Sequence, residues 1–206
     1  IFTGTFVPDE NVTSHTSIRL GSNWTDNSSI PPNNDTLSSI FFVDTIKPIA
    51  SISLSDNDIK LGETSTVIVT FSELPQGFNY LSDLSASNGT LSNGLFDSTG
   101  QIFTVTYTPT TNVISSNSTI TINTAWTDIS GNSPVQEVSS EVFAIDTTPV
   151  TITGAAIKGP LKDALAFADE NGNGIKDDNE ASFQTDENGV FTVEALSSLT
   201  KIIVKS

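Results

Sequence analysis

The sequence of 206 residues contains neither cysteine nor methionine. Without cysteine the chain cannot form disulfide bonds, and thiol nucleophiles and thiolate metal sites are both excluded. Hydrophobic residues make up 36% of the chain, a fraction that is low but adequate for the core of a β-sandwich. The absence of cysteine is more typical of an exported bacterial protein than of a eukaryotic ectodomain stapled by disulfides.

Basic residues are scarce, since eight lysines and arginines stand against 24 aspartates and glutamates and the formal net charge is −16. Such a charge repels nucleic acid phosphates and anionic lipid headgroups. We therefore expect no nucleic acid partner and no membrane surface as a direct partner. The same charge attracts divalent cations.

A long apolar run is also missing. No stretch approaches the roughly 18 consecutive apolar residues that span a membrane, and the first residues, Ile1–Phe6, have neither a basic region nor an apolar signal core. We expect no membrane insertion in this segment, and we expect any targeting signal to lie outside it.

The chain has one histidine, His15, in the polar and loop-like run Thr13–Ser17. A lone histidine cannot provide the ligand pair of a zinc site, and no glycine-rich phosphate loop follows a strand pattern. The position equivalent to His15 in the repeat described next is Ser116, so a Ser-His-Asp triad would exist in one copy at most. We expect that the chain is not an enzyme.

The sequence repeats itself with a period of 101 to 102 residues. The matching positions are residues 1–8 with 102–109, Trp24–Asp26 with Trp126–Asp128, and residues 41–45 with 143–147. The period changes by one residue on the way, a slip that we place in a loop. The repetition predicts a complete repeat at residues 48–148 and the C-terminal half of another repeat at residues 1–47.

Apolar and polar residues alternate in the complete repeat, most clearly where Phe103, Val105 and Tyr107 are separated by threonines. About seven short runs of this kind, bounded by turn signals and without helical periodicity, are typical of an immunoglobulin-like β-sandwich. Trp126 and its equivalent Trp24 are then expected to anchor the cores of their modules, the alternative being a role in stacking on a ligand.

Several short segments in the first 150 residues share a combined pattern. They are Asp44–Pro48, Leu61–Thr64, Phe71–Glu73, Ser87–Ser92, Thr127–Asp128 with Gly131–Asn132, and Phe143–Pro149. As a set they resemble the bacterial Ig-like repeats of giant, calcium-dependent surface adhesins of the RTX type. The resemblance implies tandem modules that together form a long extension stalk.

The resemblance to adhesins that bind calcium at domain junctions points to Asp44 and Asp146 as metal ligands. Each aspartate stands at the end of the last strand pattern of its repeat, shortly before a proline that stiffens the linker. The alternative is that each aspartate only caps a turn, and the sequence leaves both interpretations open.

A calcium-loop pattern runs from Asp169 to Glu180 as Asp-Glu-Asn-Gly-Asn-Gly-Ile-Lys-Asp-Asp-Asn-Glu. Its oxygen ligands would come from Asp169, Asn171, Asn173, the Ile175 carbonyl, Asp177 and Glu180. Ca²⁺ takes six to eight oxygens, and the glycine at the sixth position, Gly174, permits the sharp turn that aims them inward. The sequence therefore predicts an EF-hand-type Ca²⁺ site, the alternative being a surface turn rich in Asp, Asn and Gly.

The composition changes after Pro149. A Gly159-Pro160 turn, a strand pattern at residues 165–168, the calcium loop and a Thr185–Val193 strand pattern follow in this order. This order resembles the SdrD B-like and CnaB-like modules of bacterial surface proteins, which implies a transthyretin-like sandwich whose loop joins strands rather than helices. Residues 149–206 are interpreted as the N-terminal part of such a module, in which Asp186 either adds a ligand or begins an Asx turn.

The sequence thus predicts an all-β chain of tandem immunoglobulin-like β-sandwich modules with a C-terminal transthyretin-like segment that carries the EF-hand-like calcium loop. Half a sandwich leaves one apolar face bare. Residues 1–47 and 150–206 are therefore either pieces of larger modules, which we favour, or halves that complete each other as a split domain.

The expected function is that of a calcium-rigidified stalk segment in a large adhesin, secreted to the bacterial cell surface and supporting adhesion and biofilm formation. Its partners would be the neighbouring modules, with a cell-surface glycan or protein bound by other parts of the adhesin. The alternative is that one module is itself the binding head. Its candidate patch is Phe78-Asn79-Tyr80, whose rings either stack on a sugar or pack on their neighbours.

Overall fold

A computed structural model describes residues 3–156, 161–196 and 200–205, and these residues are almost all β or loop. Residues 3–47 contain β1 (Thr13–Thr16), β2 (Arg19–Leu20), β3 (Thr36–Leu37) and β4 (Phe41–Asp44). The next segment contains β5 (Ala50–Leu54), β6 (Asp58–Lys60), β7 (Ser65–Phe71), the helical turn α1 (Tyr80–Asp83), β8 (Leu84–Ala86), β9 (Gly89–Phe96), β10 (Ile102–Pro109), β11 (Ile114–Ser118), β12 (Ile120–Ile122), β13 (Val138–Ser139) and β14 (Phe143–Asp146). The last segment contains β15 (Val150–Ala155), β16 (Leu165–Asp169), β17 (Ser182–Gln184), β18 (Val190–Ala195) and β19 (Lys201–Lys205). The Gly159-Pro160 turn lies outside the described residues.

Residues 48–148 form a sandwich of two layers. One layer is an antiparallel sheet in the order β5-β7-β10-β9, and the other holds the sheets β11-β14-β6 and β13-β12-β8. β6 runs parallel to β14, while the other strand pairs of the sandwich are antiparallel. The immunoglobulin-like, all-β architecture predicted from the sequence is confirmed.

Alternation along the central strands places their apolar side chains between the two layers. On β10, Phe103, Val105 and Tyr107 are buried while the intervening threonines are not. On β7, Val67 and Val69 are fully buried in the same cluster. Side chains on a strand point alternately to its two faces, so the threonines between these residues lie on the outer face of the sheet.

The sandwich has more strands than the seven or so that the pattern predicted. The segment Ile114–Ile122 supplies two of them, since β11 pairs with β14 and β12 pairs with β8 and β13. The break falls at Thr119, where the chain passes from one sheet to the next. Alternation continues across this change of partner, so the sequence pattern does not reveal it.

The internal repetition extends to individual hydrogen bonds. The hydroxyl of Thr45 accepts from the Val12 amide at 2.9 Å, and the hydroxyl of Thr147 accepts from the Val113 amide at 2.9 Å. The amides of the two threonines in turn donate to the carbonyls of the same two valines. Residues 3–47 therefore repeat the local structure of the second half of the sandwich.

The one-residue slip lies in a strand and not in a loop as predicted. β1 pairs with β4 without interruption, whereas the pairing of β11 with β14 shifts register between Ser115 and Ser118. A bulge of this kind inserts one extra residue into a strand. His15, placed in a loop by the sequence, also lies in β1.

Trp24 does not anchor a core, in contrast to the sequence-based expectation. Its side chain is 44% exposed, whereas Trp126 is 1% exposed and lies in the centre of the sandwich. The reason is that Trp126 is covered by strands from residues 48–101, and residues 3–47 pair only among themselves in the described sheets. The prediction for Trp126 is correct and that for Trp24 is wrong.

Residues 150–205 form two further sheets, β15-β18 and β17-β16-β19. Their small core consists of Ala166, Ala168, Phe191, Val193 and Ala195. In the described sheets no strand of residues 3–47 pairs with a strand of residues 150–205, so the split-domain alternative receives no support from strand pairing.

Gly89 is expected to be intolerant of a side chain. A Cβ atom there would lie 2.5 Å from the ring of Tyr107, and that ring is fully buried with its hydroxyl donating to the Ser87 carbonyl at 2.9 Å. Since the ring cannot move away freely, Gly89→Ala should lower the free energy of unfolding by about 1–3 kcal/mol. Gly4→Ala, where no atom lies within 4 Å of the added Cβ, should change it by no more than about 0.5 kcal/mol. Urea unfolding of both variants measures the difference, and equal effects would contradict the packing described here.

Candidate functional site

The calcium-loop pattern lies between two paired strands. Asp169 is the last residue of β16, which pairs with β17 up to the contact between Phe167 and Ser182. The Ala168 amide then donates to the Ala181 carbonyl at 3.0 Å. The first and twelfth positions of the loop are therefore fixed on neighbouring chains of one hairpin, without flanking helices.

Two glycines give the loop its shape. Gly172 and Gly174 adopt φ angles of 73° and 72°, a region that residues with a Cβ seldom enter. The turn directs the Gly174 amide back to Oδ2 of Asp169, to which it donates at 3.1 Å. The glycine at the sixth position thus brings the chain back over the first ligand position.

Asp169 has the strongest signature of a cation site in the loop. The residue is 3% exposed, and its Oδ1 is buried without a hydrogen-bond partner. A buried carboxylate oxygen without a partner is costly. The ion pairs formed by the described residues are Arg19 with Asp35 and Lys60 with Asp58. Among these residues, no lysine or arginine forms an ion pair with Asp169. A hard cation would supply the missing partner.

Glu180, at the twelfth position, is 5% exposed and held by the backbone at both carboxylate oxygens. Oε1 accepts from the Glu170 amide at 2.9 Å and Oε2 from the Asp177 amide at 3.1 Å. A bidentate glutamate at this position is the usual final ligand of an EF-hand-type loop. The carboxylate is thus oriented by its neighbours before any ligand is considered.

The two asparagines contact Asp177. Nδ2 of Asn171 and Nδ2 of Asn173 donate to Asp177 Oδ2 at 2.7 and 2.8 Å. The amide oxygens, which a cation would need, accept from the backbone: Asn171 Oδ1 from the Asn173 amide at 3.0 Å and Asn173 Oδ1 from the Ile175 amide at 2.6 Å. An amide oxygen has a second lone pair that could serve a cation. The Ile175 side chain is exposed, as expected where the carbonyl is the ligand.

A second group of acidic residues lies outside the loop, and its carboxylates are closer together than those of the loop. Within the described residues, the acidic groups whose oxygens all lie within 4.8 Å of one another are Asp44, Glu73 and Asp128. Asp169, Asp177 and Glu180 do not form such a group. We call the group of Asp44, Glu73 and Asp128 the junction cluster.

The junction cluster joins the first segment to the sandwich. Asp44 ends β4, and Glu73 and Asp128 belong to residues 48–148. The Ser130 hydroxyl donates to Asp44 Oδ2 at 2.9 Å, and the Asn132 side chain donates to the Asp44 carbonyl at 3.2 Å. Asn132 also donates to both oxygens of the buried Asp128. One loop therefore holds two of the three carboxylates in place.

The pKa values of Asp44 and Glu73 are shifted in opposite directions. The hydrogen bond from the Thr13 hydroxyl, with smaller ones from Ser130 and the Ile46 amide, lowers the pKa of Asp44 against the opposing effect of burial. Burial, followed by repulsion from Asp128 and Asp44, raises the pKa of Glu73. The negative charge of Glu73 is therefore disfavoured in the folded chain, in contrast to that of Asp44.

Glu73 and Asp128 are residues of this candidate site that the sequence did not assign. Both lay in segments noted for the repeat pattern, Phe71–Glu73 and Thr127–Asp128, without a ligand role. A usable signal would have been that both are acids placed at turns of the repeat next to the junction. Their closeness to Asp44 depends on the fold and cannot be read from spacing.

Asp146, the second predicted junction ligand, is placed differently from Asp44. Its Oδ1 accepts from the Thr148 hydroxyl and amide at 2.6 and 3.1 Å, and these bonds, with Lys60, lower the pKa of Asp146. In the part of the chain that the structure describes, it belongs to no group of three close acids. Asp186 likewise accepts from the Asn188 and Val190 amides as an Asx turn.

The aromatic patch proposed for a glycan is part of the core. Phe78 packs edge-to-face against Phe71 and Phe103, with centroid distances of 5.1 and 5.2 Å. Tyr80 begins α1 and lies against Phe103 at 5.6 Å. Both rings are partly buried against the main cluster, so they do not offer a free stacking platform.

The central sandwich matches a known protein family. Residues 44–145 match the family model described as a bacterial Ig-like domain, which agrees with the immunoglobulin-like sandwich of this segment. Domains of this family are typically non-enzymatic and commonly occur in extracellular proteins. Comparisons with curated proteins and with solved structures found no match. Among the described residues no helix is long and apolar enough to cross a membrane.

Proposed function

We propose that this chain is a calcium-rigidified extension segment of a large adhesin at the bacterial cell surface. The Ig-like domain at residues 44–145 is consistent with a module of a surface protein, and the repeated half at residues 3–47 is consistent with a tandem array. The observation that best supports a calcium site is that Asp169 Oδ1 is buried without a hydrogen-bond partner. Asp169 is the first position of a loop in which every ligand position is occupied by a suitable residue.

The loop would hold Ca²⁺ through Asp169, Asn171, Asn173, the Ile175 carbonyl, Asp177 and Glu180. When bound, the ion would supply positive charge that offsets the desolvated carboxylates. Because pairing of β16 with β17 holds the two ends of the loop together, binding would be linked to folding. The Glu170 carboxylate, which accepts from the Leu196 amide and the Thr200 hydroxyl, ties the loop to the strands that follow.

The junction cluster is the second proposed calcium site. Its three carboxylates repel one another at short distance, and they come from both sides of the boundary between residues 1–47 and 48–148. A cation there would replace this repulsion by shared ligation across the boundary. The segment would therefore be flexible at this boundary in a calcium-poor compartment and stiff in a calcium-rich medium.

Calorimetric titration of calcium into the full chain, combined with small-angle X-ray scattering with and without EGTA, tests this function. We expect binding in the range of extracellular modules, with Kd of about 10⁻⁴–10⁻³ M, and a narrower distribution of particle dimensions when calcium is present. The absence of both effects would refute the rigidification. Saturable binding of a glycan or protein by the isolated chain would instead favour the binding-head alternative.

Neutralising Glu73 is expected to stabilise the chain when calcium is absent. The pKa of Glu73 is raised in the folded chain, so the folded chain binds this proton more tightly than the unfolded chain does. Ionised Glu73 therefore disfavours folding at neutral pH, and this cost falls as the pH drops through its raised pKa. Glu73→Gln should raise the melting temperature in EGTA at neutral pH. It should also remove the gain in stability that the parent chain shows as Glu73 becomes protonated at lower pH.

The control for this prediction is Glu141→Gln, which removes the same charge from an exposed position and should leave the melting temperature nearly unchanged. With calcium, Glu73→Gln should show one binding site fewer in the titration, while Glu141→Gln should bind as the parent chain does. An unchanged number of sites in Glu73→Gln would remove the junction cluster from the proposal and leave the loop site standing.

A further inference from the structure

Asparagine followed by glycine occurs five times in the chain, and two of these pairs stand side by side in the calcium loop, Asn171-Gly172 and Asn173-Gly174. Asparagine is a thermolabile residue. It is most reactive before glycine, because a residue without a Cβ lets its main-chain nitrogen approach the asparagine side chain closely. The sequence treats the two pairs alike, but the structure distinguishes them.

The two asparagine side chains have the same surroundings. Both residues are exposed, and Nδ2 of each donates to Asp177 Oδ2, at 2.7 and 2.8 Å. Oδ1 of Asn171 accepts from the Asn173 amide, and Oδ1 of Asn173 accepts from the Ile175 amide. A difference in reactivity between the pairs must therefore come from their glycines.

The two glycine amides are placed differently. The Gly174 amide donates to Oδ2 of the buried Asp169 at 3.1 Å. The Gly172 amide has no acceptor among the described residues, and Gly172 is exposed. No atom lies within 4 Å of a Cβ added at Gly172, whereas Ile203 lies 3.9 Å from one added at Gly174. The nitrogen and the space for a ring are thus available at Gly172 and restricted at Gly174.

The other three pairs serve as references. Asn188 is as exposed as Asn171, but the Gly189 amide donates to the Asp186 carbonyl at 3.0 Å and Gly189 is buried. Gly89 and Gly94 belong to β9, where strand pairing holds the main chain. Among the five pairs, Asn171-Gly172 is therefore the one with an exposed asparagine and a glycine amide outside both a strand and a hydrogen bond of the described residues.

We propose that Asn171 is a site of spontaneous deamidation in the calcium-free chain, and that a cation in the loop protects it. The Gly172 nitrogen bonds to Cγ of Asn171 and the bond from Cγ to Nδ2 breaks. The proton of the Gly172 amide leaves with Nδ2 as ammonia. Water then opens the resulting five-membered imide at either of its carbonyls, which yields aspartate or isoaspartate and requires no other reactant.

The two products have different consequences for the loop. Aspartate at position 171 keeps an oxygen ligand in place and adds one negative charge. Isoaspartate carries the main chain through its Cβ, so that one methylene group is inserted between two ligand positions. Because the ligands of an EF-hand-type loop depend on their spacing, chains that contain isoaspartate should lose the site. Time spent without calcium would thus be recorded covalently.

The protection by calcium rests on the proposed function, whereas the preference for Asn171 over Asn173 does not. Closing the ring requires Asn171 Oδ1 to release the Asn173 amide and the main chain of the loop to rotate. A cation that binds Oδ1 together with the other loop oxygens would oppose both movements, since it stabilises the folded loop against open states.

The test is an incubation of the full chain at mildly alkaline pH, in EGTA or in excess calcium, followed by tryptic digestion and tandem mass spectrometry. Cleavage after Lys162 and Lys176 yields one peptide with Asn171 and Asn173, which fragment ions resolve. In EGTA, Asn171 should deamidate at least about fivefold faster than Asn173 and Asn188, a factor that corresponds to one net hydrogen bond. Excess calcium should slow Asn171 and leave Asn188 unchanged.

A variant tests the cause of the difference. Asp169→Ala removes the acceptor of the Gly174 amide, so that Asn173 in EGTA should deamidate at nearly the rate of Asn171. Asp178→Ala removes an exposed charge of the same loop and should leave both rates as they are in the parent chain. Hydrogen exchange of the β16 amides establishes that the hairpin is intact in both variants.

The site is overturned if Asn173 or Asn188 deamidates as fast as Asn171 in the parent chain in EGTA, a comparison that needs no variant. The protection is overturned if calorimetry shows calcium binding while the rate at Asn171 stays the same, or if calcium slows Asn188 equally. If calorimetry shows no calcium binding and Asn171 still deamidates first, the proposed function fails and the deamidation site is upheld.

Discussion

Replacing Trp126 with alanine is expected to lower the free energy of unfolding of the central sandwich by about 3–5 kcal/mol. The side chain is 1% exposed and meets the ring of Phe71 edge-to-face at 4.9 Å. Its Nε1 also donates to the Asn123 carbonyl at 3.0 Å. The substitution removes the transfer free energy of a large aromatic group, leaves a cavity between two sheets, and deprives a carbonyl of its donor.

The matched substitution is Trp24→Ala, at the equivalent position of the first copy. That side chain is 44% exposed, and its loss should cost no more than about 1 kcal/mol. Urea unfolding combined with hydrogen exchange of the β7 and β10 amides measures the two effects, because those strands report on the sandwich itself. If both variants lost the same stability, the distinction between a covered and an uncovered copy would be wrong.

The contrast between these tryptophans shows what the sequence can and cannot predict. The repeat gives Trp24 and Trp126 the same local sequence, Trp-Thr-Asp, so any prediction from local pattern treats them alike. Their burial differs because it depends on whether β7 and its neighbours lie above them. Burial of a strand face depends on strands that are distant in the sequence. Alternation in the sequence shows only which face of a strand is apolar.

The strands of the sandwich illustrate the same limit. Phe103, Val105 and Tyr107 were predicted to face a core because their alternation is local, and they do. The order β5-β7-β10-β9, and the transfer of the chain from β11 to β12 across Thr119, are determined by pairing between distant segments. The single turn of α1 begins after its N-cap Asn79, whose side chain accepts from the Leu81 amide. A helix of one turn is too short to show helical periodicity in the sequence.

The two candidate metal sites differ in how far the sequence could predict them. All ligands of the loop lie within Asp169–Glu180, so their spacing alone predicts the chemistry, and the structure adds the burial of Asp169 and Glu180. The junction cluster brings Asp44 together with Glu73 and Asp128 from three separate segments of the chain. The resemblance to adhesins with calcium at domain junctions indicated Asp44, but no spacing rule relates it to the other two.

Removing calcium is expected to destabilise residues 150–205 by about 2.7 kcal/mol when compared with calcium at about 100 times its dissociation constant. The reason is that the proposed site would exist only when β16 and β17 are paired, and Asp169 Oδ1 is buried there without a hydrogen-bond partner. Differential scanning calorimetry with calcium or EGTA, together with hydrogen exchange of β16 and β18, measures the shift. Asp169→Ala should abolish it.

The control is Asp178→Ala, which removes the same charge from the tenth position of the same loop, where the side chain is exposed and is not a ligand in the pattern. It should keep the calcium-dependent shift. In EGTA, Asp169→Ala should lie close to the parent chain, because it loses the bond from the Gly174 amide but also a desolvated charge. A calcium shift that survives in Asp169→Ala, or that Asp178→Ala loses equally, would show that general charge screening, and not ligation in the loop, produces the effect.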